Sequence, residues 1–475
     1  MKERIGYNDA KLWQIAFFSL NNAATNLFMA MMTYVAYYAN GAAGMSVVVA
    51  SFVLTGLHVF DGITDPIAGF LLDRMNGRFG KFRPFMLLGN ITMGVSCLAL
   101  FFFTHHMPYF FRIPYFILIY ACFVIGFTLQ SVVGKSGQTV ITNNPDIRPI
   151  FAYFDSLFTM ASYGGIALYV SIYLVPKYGG FKKVEVFEEL CITVVSLAAV
   201  ATIFAILGIW EKDTPLFFEN KKQKEKIHIR DYFEIMRYNK PIRMLIIAAC
   251  TDRFAAAVYG HATVGVMLYG ILMNDYKIAG LIGIVTAIPT LVVVTFGIKV
   301  AQWRGQKKAM VYFTVGAIIL QIPMIFLLLS KNVAKIHFSF HGMNGITWSF
   351  FFIFVLLNGC KAITNNMVTP MIADCTDYEV YRSGKYVPGL MGALFSFVDK
   401  IFQAFGTAFV GIVLTILGFS KELPQVGDSA SERIRGITIF MYCIIPMIGW
   451  ACTLLAMKFY KLDKGKMKEI NENRN

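Results

Sequence analysis

Two carboxylates and a hydroxyl lie on one face of a predicted helix early in the chain. The stretch reads His58-Val-Phe-Asp61-Gly-Ile-Thr64-Asp65-Pro66. Asp61 and Asp65 are one helical turn apart, which makes them neighbours on the helix surface. Like charges this close in a low-dielectric environment repel, and this favours protonating one of them or binding a cation between them. Because small hard cations prefer oxygen ligands, the stretch predicts a cation site formed by Asp61, Thr64 and Asp65.

The chain that positions these groups has the composition of a membrane protein. Of its 475 residues, 57% are hydrophobic and 15% are charged, and the mean hydropathy is +0.59. A soluble globular chain is nearer a quarter charged. Apolar stretches long enough for a span of roughly 20 residues recur along the sequence. They predict an all-α membrane protein with twelve transmembrane helices, at 13–39, 46–72, 85–104, 114–137, 150–175, 190–210, 242–272, 278–298, 309–330, 345–373, 386–418 and 436–457.

The distribution of charge predicts the topology. Most of the 43 lysines and arginines fall in segments that are cytoplasmic if the N-terminus is cytoplasmic. This bias fits the positive-inside rule with both termini in the cytoplasm and a multi-pass location in the cell membrane. The net charge of +15 is then a consequence of topology, so no nucleic-acid partner is expected.

The predicted spans divide into two halves. The most polar stretch, 211–241, separates six spans from six. The loop 73–84 of the first half and the loop 302–308 of the second are both basic, contain glycine and occupy equivalent places. Two such six-helix bundles indicate a major facilitator fold, which moves around a central site. The predicted domains are an N-terminal bundle, a cytoplasmic loop, a C-terminal bundle and a cytoplasmic tail, at 1–210, 211–241, 242–460 and 461–475.

A structural alternative exists for the carboxylates of the second span. They would pack between helices and form ion pairs with lysines elsewhere in the bundle. The cost of an ionisable group inside a membrane helix, about 2.5–3.5 kcal/mol on insertion scales, favours a functional role. The other ionisable residues of the predicted spans carry the same cost and are expected to face the bundle interior; they are Lys135, Asp155, Asp252, Arg253, Lys361, Asp399 and Lys400. The sequence neighbours Asp252–Arg253 and Asp399–Lys400 are expected to meet partners on other helices.

At this point a resemblance adds to the pattern. The motif Asp61-x-x-Thr64-Asp65-Pro66-x-x-Gly69-x-x-x-Asp73-Arg74-x-x-x-Arg78-x-Gly80-Lys81-x-Arg83-Pro84 resembles the signature of the glycoside–pentoside–hexuronide:cation symporters, a melibiose permease-like family of the major facilitator superfamily. The resemblance runs nearly end to end and includes Asp374-x-x-Asp377-Tyr378 and Lys400. It implies sodium- or proton-coupled symport of a glycoside-like sugar by alternating access. It implies a monomer with no cofactor besides the coupling cation.

The resemblance also implies roles for single residues. Asp61, Thr64 and Asp65 line the cation site, and Gln130 supplies a further oxygen from the fourth span. Thr64 stands where the melibiose permease-like pattern has asparagine, so an oxygen ligand is kept. His58 stands where the family usually has arginine. Because a histidine titrates near neutral pH, this position favours proton coupling and puts sodium dependence in doubt.

The solute side departs further from the family. Val133 and Thr25 stand where aspartates clasp a galactoside, so a galactoside is not supported. Asn22 and Asn26 lie one turn apart and can hydrogen-bond the hydroxyls of a solute, although helix–helix hydrogen bonding is an equal alternative.

Two basic residues of the spans bear on the charge of the solute. The pair Lys135 and Lys400 favours an anionic solute such as a hexuronide. In the alternative interpretation the pair neutralises Asp155 and the cation-site carboxylates.

Charged residues at the ends of the second and tenth spans predict an inner gate. Arginines of the basic loop would pair with carboxylates when the cytoplasmic side is shut. The predicted gate residues are Asp73, Arg74, Arg78, Arg83, Asp374 and Asp377. An ordinary solvated basic loop is the structural alternative.

Two other functions stay open at this stage. One is a carrier of an amphiphile or lipid headgroup, and the other is a non-transporting membrane receptor or scaffold. Nothing in the sequence indicates an enzyme, since nucleophile elbows, phosphate-binding loops and metal-ligand spacings are missing. The 8 cysteines form no CxxC pair and predict neither a disulfide framework nor a metal site.

Overall fold

Helices make up all regular structure that can be described. The computed structural model describes residues 10–74, 79–136, 141, 148–213, 236–330, 332–338, 344–383 and 388–472. In this part of the chain there is no β-strand, and the predicted all-α class is confirmed. The chain forms two compact units, one of Met1–Lys224 with Leu417–Leu423 and one of Glu225–Ile416 with Pro424–Asn475. The sequence did not predict that 417–423 would join the first unit.

The first unit is built on six long helices of the described residues. They are α1 (Leu12–Met32), α2 (Val47–Arg74), α3 (Arg83–Phe103), α4 (Tyr109–Ser136), α5 (Arg148–Leu168) and α6 (Val184–Ile209). Short helical segments follow α1, α3 and α5, at Val35–Tyr37, Tyr38–Ala42, Thr104–His106, Tyr169–Leu174 and Val175–Tyr178. Helix α1 packs against α4, α5 and α6, α3 packs against α4 and α6, and α2 packs against α4.

The second unit repeats this pattern with more breaks. Its helices are α7 (Lys240–Tyr259), α8 (Lys277–Val285), α9 (Ala287–Arg304), α10 (Gln306–Leu329), α11 (Gly345–Ser383), α12 (Pro388–Ile416), α13 (Glu432–Ile439), α14 (Ile445–Phe459) and α15 (Lys464–Glu472). Ala262–Gly265, Val266–Leu272, Val333–Lys335 and Phe440–Ile444 are shorter. Helix α7 packs against α12 and α14, and α11 packs against α9 and α10.

Local sequence explains where α7 begins. The side-chain oxygen of Asn239 accepts a hydrogen bond from the backbone amide of Ile242 at 3.0 Å, which satisfies a free donor of the first turn. Pro241 lies in that turn, where a missing N–H does no harm. At the other end, Gly260 interrupts the helix, and the next helical segment leaves at an angle of 54°.

Most of these helices are suited to a membrane. Nine helices of the described residues are long and apolar enough to cross one, and two bent pairs bring the number to eleven. The count of twelve predicted spans is therefore not reached. The long helix outside this set is α1, because amide and hydroxyl side chains lower its hydropathy; they are Gln14, Ser19, Asn21, Asn22, Thr25 and Asn26.

Paired glycines bring α3 and α4 into close contact. A Cβ atom added to Gly89 would lie 2.8 Å from the carbonyl oxygen of Gly126, and one added to Gly126 would lie 2.9 Å from the carbonyl oxygen of Gly89. No real Cβ tolerates such distances, so both positions require glycine. Small residues at a helix crossing are the usual means of close packing in membranes. This crossing fixes α4, which carries part of the candidate site.

Candidate functional site

Side chains of α2 and α4 form a cluster of oxygen atoms in the first unit. The hydroxyls of Thr64 and Thr128 are 2.8 Å apart. The Thr128 hydroxyl also lies 3.4 Å from a carboxylate oxygen of Asp61, and the Thr64 hydroxyl donates to the backbone carbonyl of Asp61 at 3.0 Å. Thr128 is buried, whereas Asp61, Thr64 and Asp65 are half-buried. The carboxylate of Asp61 and the two hydroxyls, with Asp65 one turn further along α2, are a suitable donor set for a small hard cation.

The residue of α4 in this cluster is Thr128 and not Gln130. The side-chain amide of Gln130 donates to Asn21 at 3.1 Å and to Thr202 at 3.0 Å, while Asn21 donates to the backbone carbonyl of Gln130 at 3.1 Å. Gln130 thus joins α4 to α1 and α6. No hydrogen bond between the described residues connects it to Asp61, Thr64 or Asp65. Two positions along a helix turn a side chain by about 200°, so Gln130 and Thr128 point in different directions. The side-chain oxygen of Gln130 is buried and accepts no hydrogen bond among the described residues, and its role as a cation ligand stays a prediction.

A histidine, His58, lies near the two carboxylates in the sequence of α2. His58 is half-buried and lies one turn before Asp61 on α2, and both residues make interactions within the described part of the chain. One carboxylate oxygen of Asp65 is fully buried. His58 therefore adds an imidazole to the helix that carries the two carboxylates.

A polar ladder connects α1 and α5 in the same unit. The side-chain amide of Asn26 donates to the hydroxyl of Thr159 at 2.8 Å. One turn earlier, Asn22 lies beside Asp155 and interacts with it. Asn22 and Asn26 are both half-buried. The helix–helix alternative therefore describes the contact of Asn26, while the partial exposure leaves both amides within reach of a small solute.

Some of the remaining predicted solute-binding and gate residues have described side chains, and others do not. Lys400 is half-buried on α12 and interacts with its surroundings. The backbones of Lys135, Asp73 and Arg74 lie in α4 and α2, but their side chains fall outside the described set, as does all of Arg78. Asp374 and Asp377 are half-buried on α11 in the second unit.

The gate residue Arg83 has a partner inside its own unit. The fully buried carboxylate of Asp213, just after α6, accepts hydrogen bonds from the backbone amides of Lys81, Phe82 and Arg83 at 2.8–3.0 Å. The guanidinium of Arg83 lies 3.4 Å from this carboxylate and stacks over Trp210 at 4.5 Å. Asp213 therefore caps the start of α3, where a negative charge interacts favourably with the helix dipole.

An equivalent carboxylate organises the second unit at the end of α11. Glu379 is 2% exposed. It accepts hydrogen bonds from Asn239 at 2.9 Å, from Arg382 at 2.6 Å and from Ser383 at 2.9 Å. Through Asn239, which also caps α7, it joins the end of α11 to the start of α7. This buried ion pair holds helix ends together.

A cavity of about 200 Å³ lies between α7, α11 and α14 of the second unit. Charged and aromatic groups face it, and its lining comprises Asp252, Arg253, Ala256, Tyr259, Lys361, Ala362, Thr364, Asn365 and Trp450. Arg253 forms an ion pair of 3.0 Å with Asp399 of α12, as expected for span residues that meet partners on other helices. The hydroxyl of Thr453 donates to Asp252 at 3.0 Å.

The sequence reasoning missed Thr128, Asp213 and the cavity around Lys361. Thr128 is a polar residue in a long apolar run, and that was the available signal. Asp213 follows the last apolar residues of the sixth span, where an acidic residue is typical of an ordinary loop. Lys361 was recognised as an intramembrane cation, but its neighbours come from helices distant in sequence.

Comparisons with known proteins agree with this architecture. The profile of a family described as MFS/sugar transport protein matches residues 17–464. The "Uncharacterized symporter YnaJ" of Bacillus subtilis (strain 168) is 24% identical over 477 residues, which cover 99% of this chain and 94% of the relative. The "Putative glycoside/cation symporter YagG" of Escherichia coli (strain K12) is 24% identical over 488 residues, again 99% and 94% of the two chains.

A solved structure shows the same fold. The crystal structure of a point mutant of the nucleoside transporter NupG aligns with a TM-score of 0.60 over 94% of this chain and 100% of the other. The sequence identity is 11%, so the likeness concerns the fold alone. The predicted major facilitator fold is confirmed.

Proposed function

The chain belongs to the MFS/sugar transport protein family, and from this membership we propose that it couples the movement of a cation to the uptake of a sugar-like solute. It is a membrane transporter and not an enzyme. Its similarity to a putative glycoside/cation symporter along nearly the whole of both chains supports this function. An amphiphile carrier or a non-transporting scaffold is not favoured by these relatives.

The oxygen cluster of α2 and α4 carries the proposal. Asp61, Thr64, Asp65 and Thr128 supply two carboxylates and two hydroxyls, and the hydroxyl oxygens of the two threonines are 2.8 Å apart. Burying two carboxylates in a membrane helix is costly without a counter-charge. A bound cation, or a proton on one carboxylate, removes this cost. A scaffold has no use for such a pair.

The coupling cation is sodium or a proton. The oxygen donors suit sodium, whereas His58, next to Asp61 on the same helix face, suits a proton. The cation is the only cofactor we propose. The transported solute contacts the amides of Asn22 and Asn26 and the cations Lys135 and Lys400.

The location and assembly follow the charge pattern of the sequence. We place the protein in the plasma membrane with both termini in the cytoplasm, an orientation that the excess of basic residues in the predicted inner loops supports. It works as a monomer by alternating access. The inner gate involves Asp73, Arg74, Arg78, Asp374 and Asp377, with Arg83 acting through its contact with Asp213.

Reconstituted protein tests the proposal. Proteoliposomes are given an inward sodium gradient, an inward proton gradient or neither, and the accumulation of labelled glycosides, pentosides and hexuronides is measured. We expect one gradient to drive accumulation of one sugar class, and we expect Asp61→Asn to abolish that coupling. Glu185→Gln serves as control because Glu185 is an exposed carboxylate at the start of α6. If no gradient drives accumulation of any sugar, the proposal is wrong.

A further inference from the structure

The ammonium group of Lys361 lies in an aromatic cage in the second unit. It is 3.9 Å from the ring centroid of Tyr259, 5.6 Å from that of Tyr442 and 5.9 Å from that of Trp450. Among the described residues, no carboxylate lies within ion-pair distance of this ammonium. Cation–π contacts compensate for part of its lost hydration. They do not neutralise a full charge in a membrane-spanning helix, where an ionisable group is expected to have a partner or a function.

A carboxylate faces the same cavity from another helix. Asp252 of α7 and Lys361 of α11 both line the cavity of about 200 Å³. They form no ion pair with each other in the described structure, although such pairing is the ordinary way to bury opposite charges. A ligand that presents a hydroxyl to Asp252 and a negative group to Lys361 satisfies both.

The shape and lining of the cavity narrow the ligand further. The cavity is smaller than the roughly 300–1,000 Å³ of pockets for drug-sized molecules, so one sugar ring is a suitable occupant. Tyr259 and Trp450 offer apolar faces, and Asn365 offers an amide donor and acceptor. Asn365 is exposed, and the side chain of Arg253 is 43% exposed. A solute can therefore reach the cavity along these two residues.

The other basic group of the cavity has a partner already. Arg253 forms an ion pair with Asp399. Lys361 is thus the group left to meet an external charge. Its positive charge opposes binding of a metal cation at Asp252, so the cavity is suited to an anion-bearing solute and not to the coupling ion.

We propose that this cavity is a solute-binding site in which Lys361 binds the negatively charged group of an acidic sugar and Asp252 accepts a hydroxyl of its ring. The proposal rests on the proposed function, since it names a part of the site that selects the transported sugar. Lys361 acts as a specificity-determining residue: it distinguishes acidic from neutral sugars of the same size.

The test compares two sugars that differ only in charge. D-glucuronate carries a carboxylate, and D-glucuronamide is its neutral counterpart. We expect purified wild-type protein to bind glucuronate more tightly. In Lys361→Gln the affinity for glucuronate should fall by about ten-fold or more, because a charge-assisted hydrogen bond is lost, while glucuronamide binding changes little. Lys361→Arg should keep the preference for the acidic sugar. Lys299→Gln, which removes an exposed lysine of α9, is the matched control.

Tryptophan fluorescence shows whether glucuronate binds in this cavity. Trp450 lines the cavity, so glucuronate should change the intrinsic fluorescence, and Trp450→Phe should remove that change. Thermal unfolding shows whether each variant is folded. If Lys361→Gln does not fold, the test is the affinity for glucuronate relative to glucuronamide in the wild type and in Lys361→Arg. A preference for glucuronate in both supports the inference, and its absence overturns it.

The outcomes separate this inference from the proposed function. Equal affinity of wild type for glucuronate and glucuronamide, or unchanged glucuronate affinity in folded Lys361→Gln, overturns the inference. If neutral sugars still accumulate under a cation gradient and Asp61→Asn abolishes this, the proposed function stands without it. If no sugar binds and none accumulates, both are wrong.

Discussion

Asp213 and Arg83 are bound to each other through both backbone and side chain. The buried carboxylate of Asp213 accepts a hydrogen bond from the backbone amide of Arg83 at 3.0 Å. The guanidinium of Arg83 donates a hydrogen bond to the backbone carbonyl of Asp213 at 3.2 Å. This contact fixes the start of α3 to the end of α6. An arginine predicted for a gate is thereby held within its own unit, and its movement depends on that of α6.

Removing the charge of Asp213 should destabilise the protein. Asp213→Asn keeps the size of the side chain but weakens its bonds to three backbone amides at the helix start. We expect a loss of about 1–3 kcal/mol, the range for a buried group whose partners are left partly unsatisfied. Thermal unfolding in detergent measures it. Glu185→Gln makes the same chemical change at an exposed site and should have little effect; equal effects would contradict the capping role.

Gly80 should tolerate alanine less well than another glycine with a similar backbone. Gly80 has φ +88°, and a Cβ there would overlap the carboxylate of Asp213. Gly179 has φ +76° with nothing within 4 Å of such a Cβ. Both alanines incur left-handed strain of about 1–2 kcal/mol, but only Gly80→Ala also displaces Asp213. Its unfolding temperature should therefore be clearly the lower of the two. Equal temperatures would mean that Asp213 adjusts freely.

The α2 part of the cation cluster can be predicted from the sequence more directly than the α4 part. Asp61, Thr64 and Asp65 belong to one helix, so their spacing alone places them on one face. The contribution of α4 depends on how that helix is rotated against α2. The Gly89–Gly126 crossing sets this rotation, and single-sequence patterns do not report which helices cross. The resemblance therefore names Gln130 on α4, and the structure adds Thr128, two residues earlier on the same helix.

Substitutions on α4 should distinguish the two residues. Thr128→Ala removes a hydroxyl from the oxygen cluster and should weaken cation binding by about ten-fold, the equivalent of one hydrogen-bond-strength ligand. Thr128→Ser keeps the hydroxyl and should bind nearly as the wild type does. Gln130→Ala should lower the unfolding temperature, because Asn21 and Thr202 lose a partner, with little change in cation affinity. Cation-dependent thermal shifts measure both quantities. If Gln130→Ala weakened cation binding and Thr128→Ala did not, Gln130 and not Thr128 would be the cation ligand on α4.

The helix crossing itself is open to a matched test. Gly89→Ala places a methyl group against the backbone of Gly126 and should cost about 1–3 kcal/mol, as overpacking usually does. Gly94, on the same helix, is the control, since its added Cβ would meet only a Val195 methyl at 3.4 Å. We expect Gly94→Ala to leave the unfolding temperature near that of the wild type. Should Gly89→Ala unfold at the same temperature, α3 and α4 would be free to separate.

The fold was more predictable than its contacts. Hydropathy identified nearly all membrane helices, because roughly 20 apolar residues are a strong local signal. Helix α1 lies within the predicted span 13–39, and its amides Asn21, Asn22 and Asn26 make contacts with α4 and α5. The aromatic cage of Lys361 cannot be predicted from sequence patterns, since Tyr259 comes from α7 and Tyr442 and Trp450 come from the last span, both distant from Lys361 in sequence.

The buried side-chain amide of Asn40 binds the segment 417–423 to the first unit. The side-chain amide of Asn40 donates hydrogen bonds to the backbone carbonyls of Met45 at 2.9 Å and Lys421 at 2.8 Å. Its side-chain oxygen accepts a hydrogen bond from the backbone amide of Leu423 at 2.9 Å. Asn40→Ala removes these bonds and should destabilise the unit by about 2–3 kcal/mol. Protease cleavage within 417–423 should become faster in the variant. Cleavage at the wild-type rate would show that the segment is held by other contacts.

An exposed ion pair at the same segment should respond to pH in a way that Asn40 does not. Lys182 donates to Glu422 at 2.9 Å, and this hydrogen bond lowers the pKa of Glu422. Because the folded pKa lies below that of the unfolded chain, the pair stabilises the fold above the ordinary glutamate pKa, roughly 4.3. The contribution is lost as the pH falls through the lowered pKa. Glu422→Gln should therefore differ slightly from wild type at pH 7 and converge with it in acid, whereas Asn40→Ala should cleave faster at both pH values. A cleavage difference for Glu422→Gln that grows in acid would contradict this ion pair.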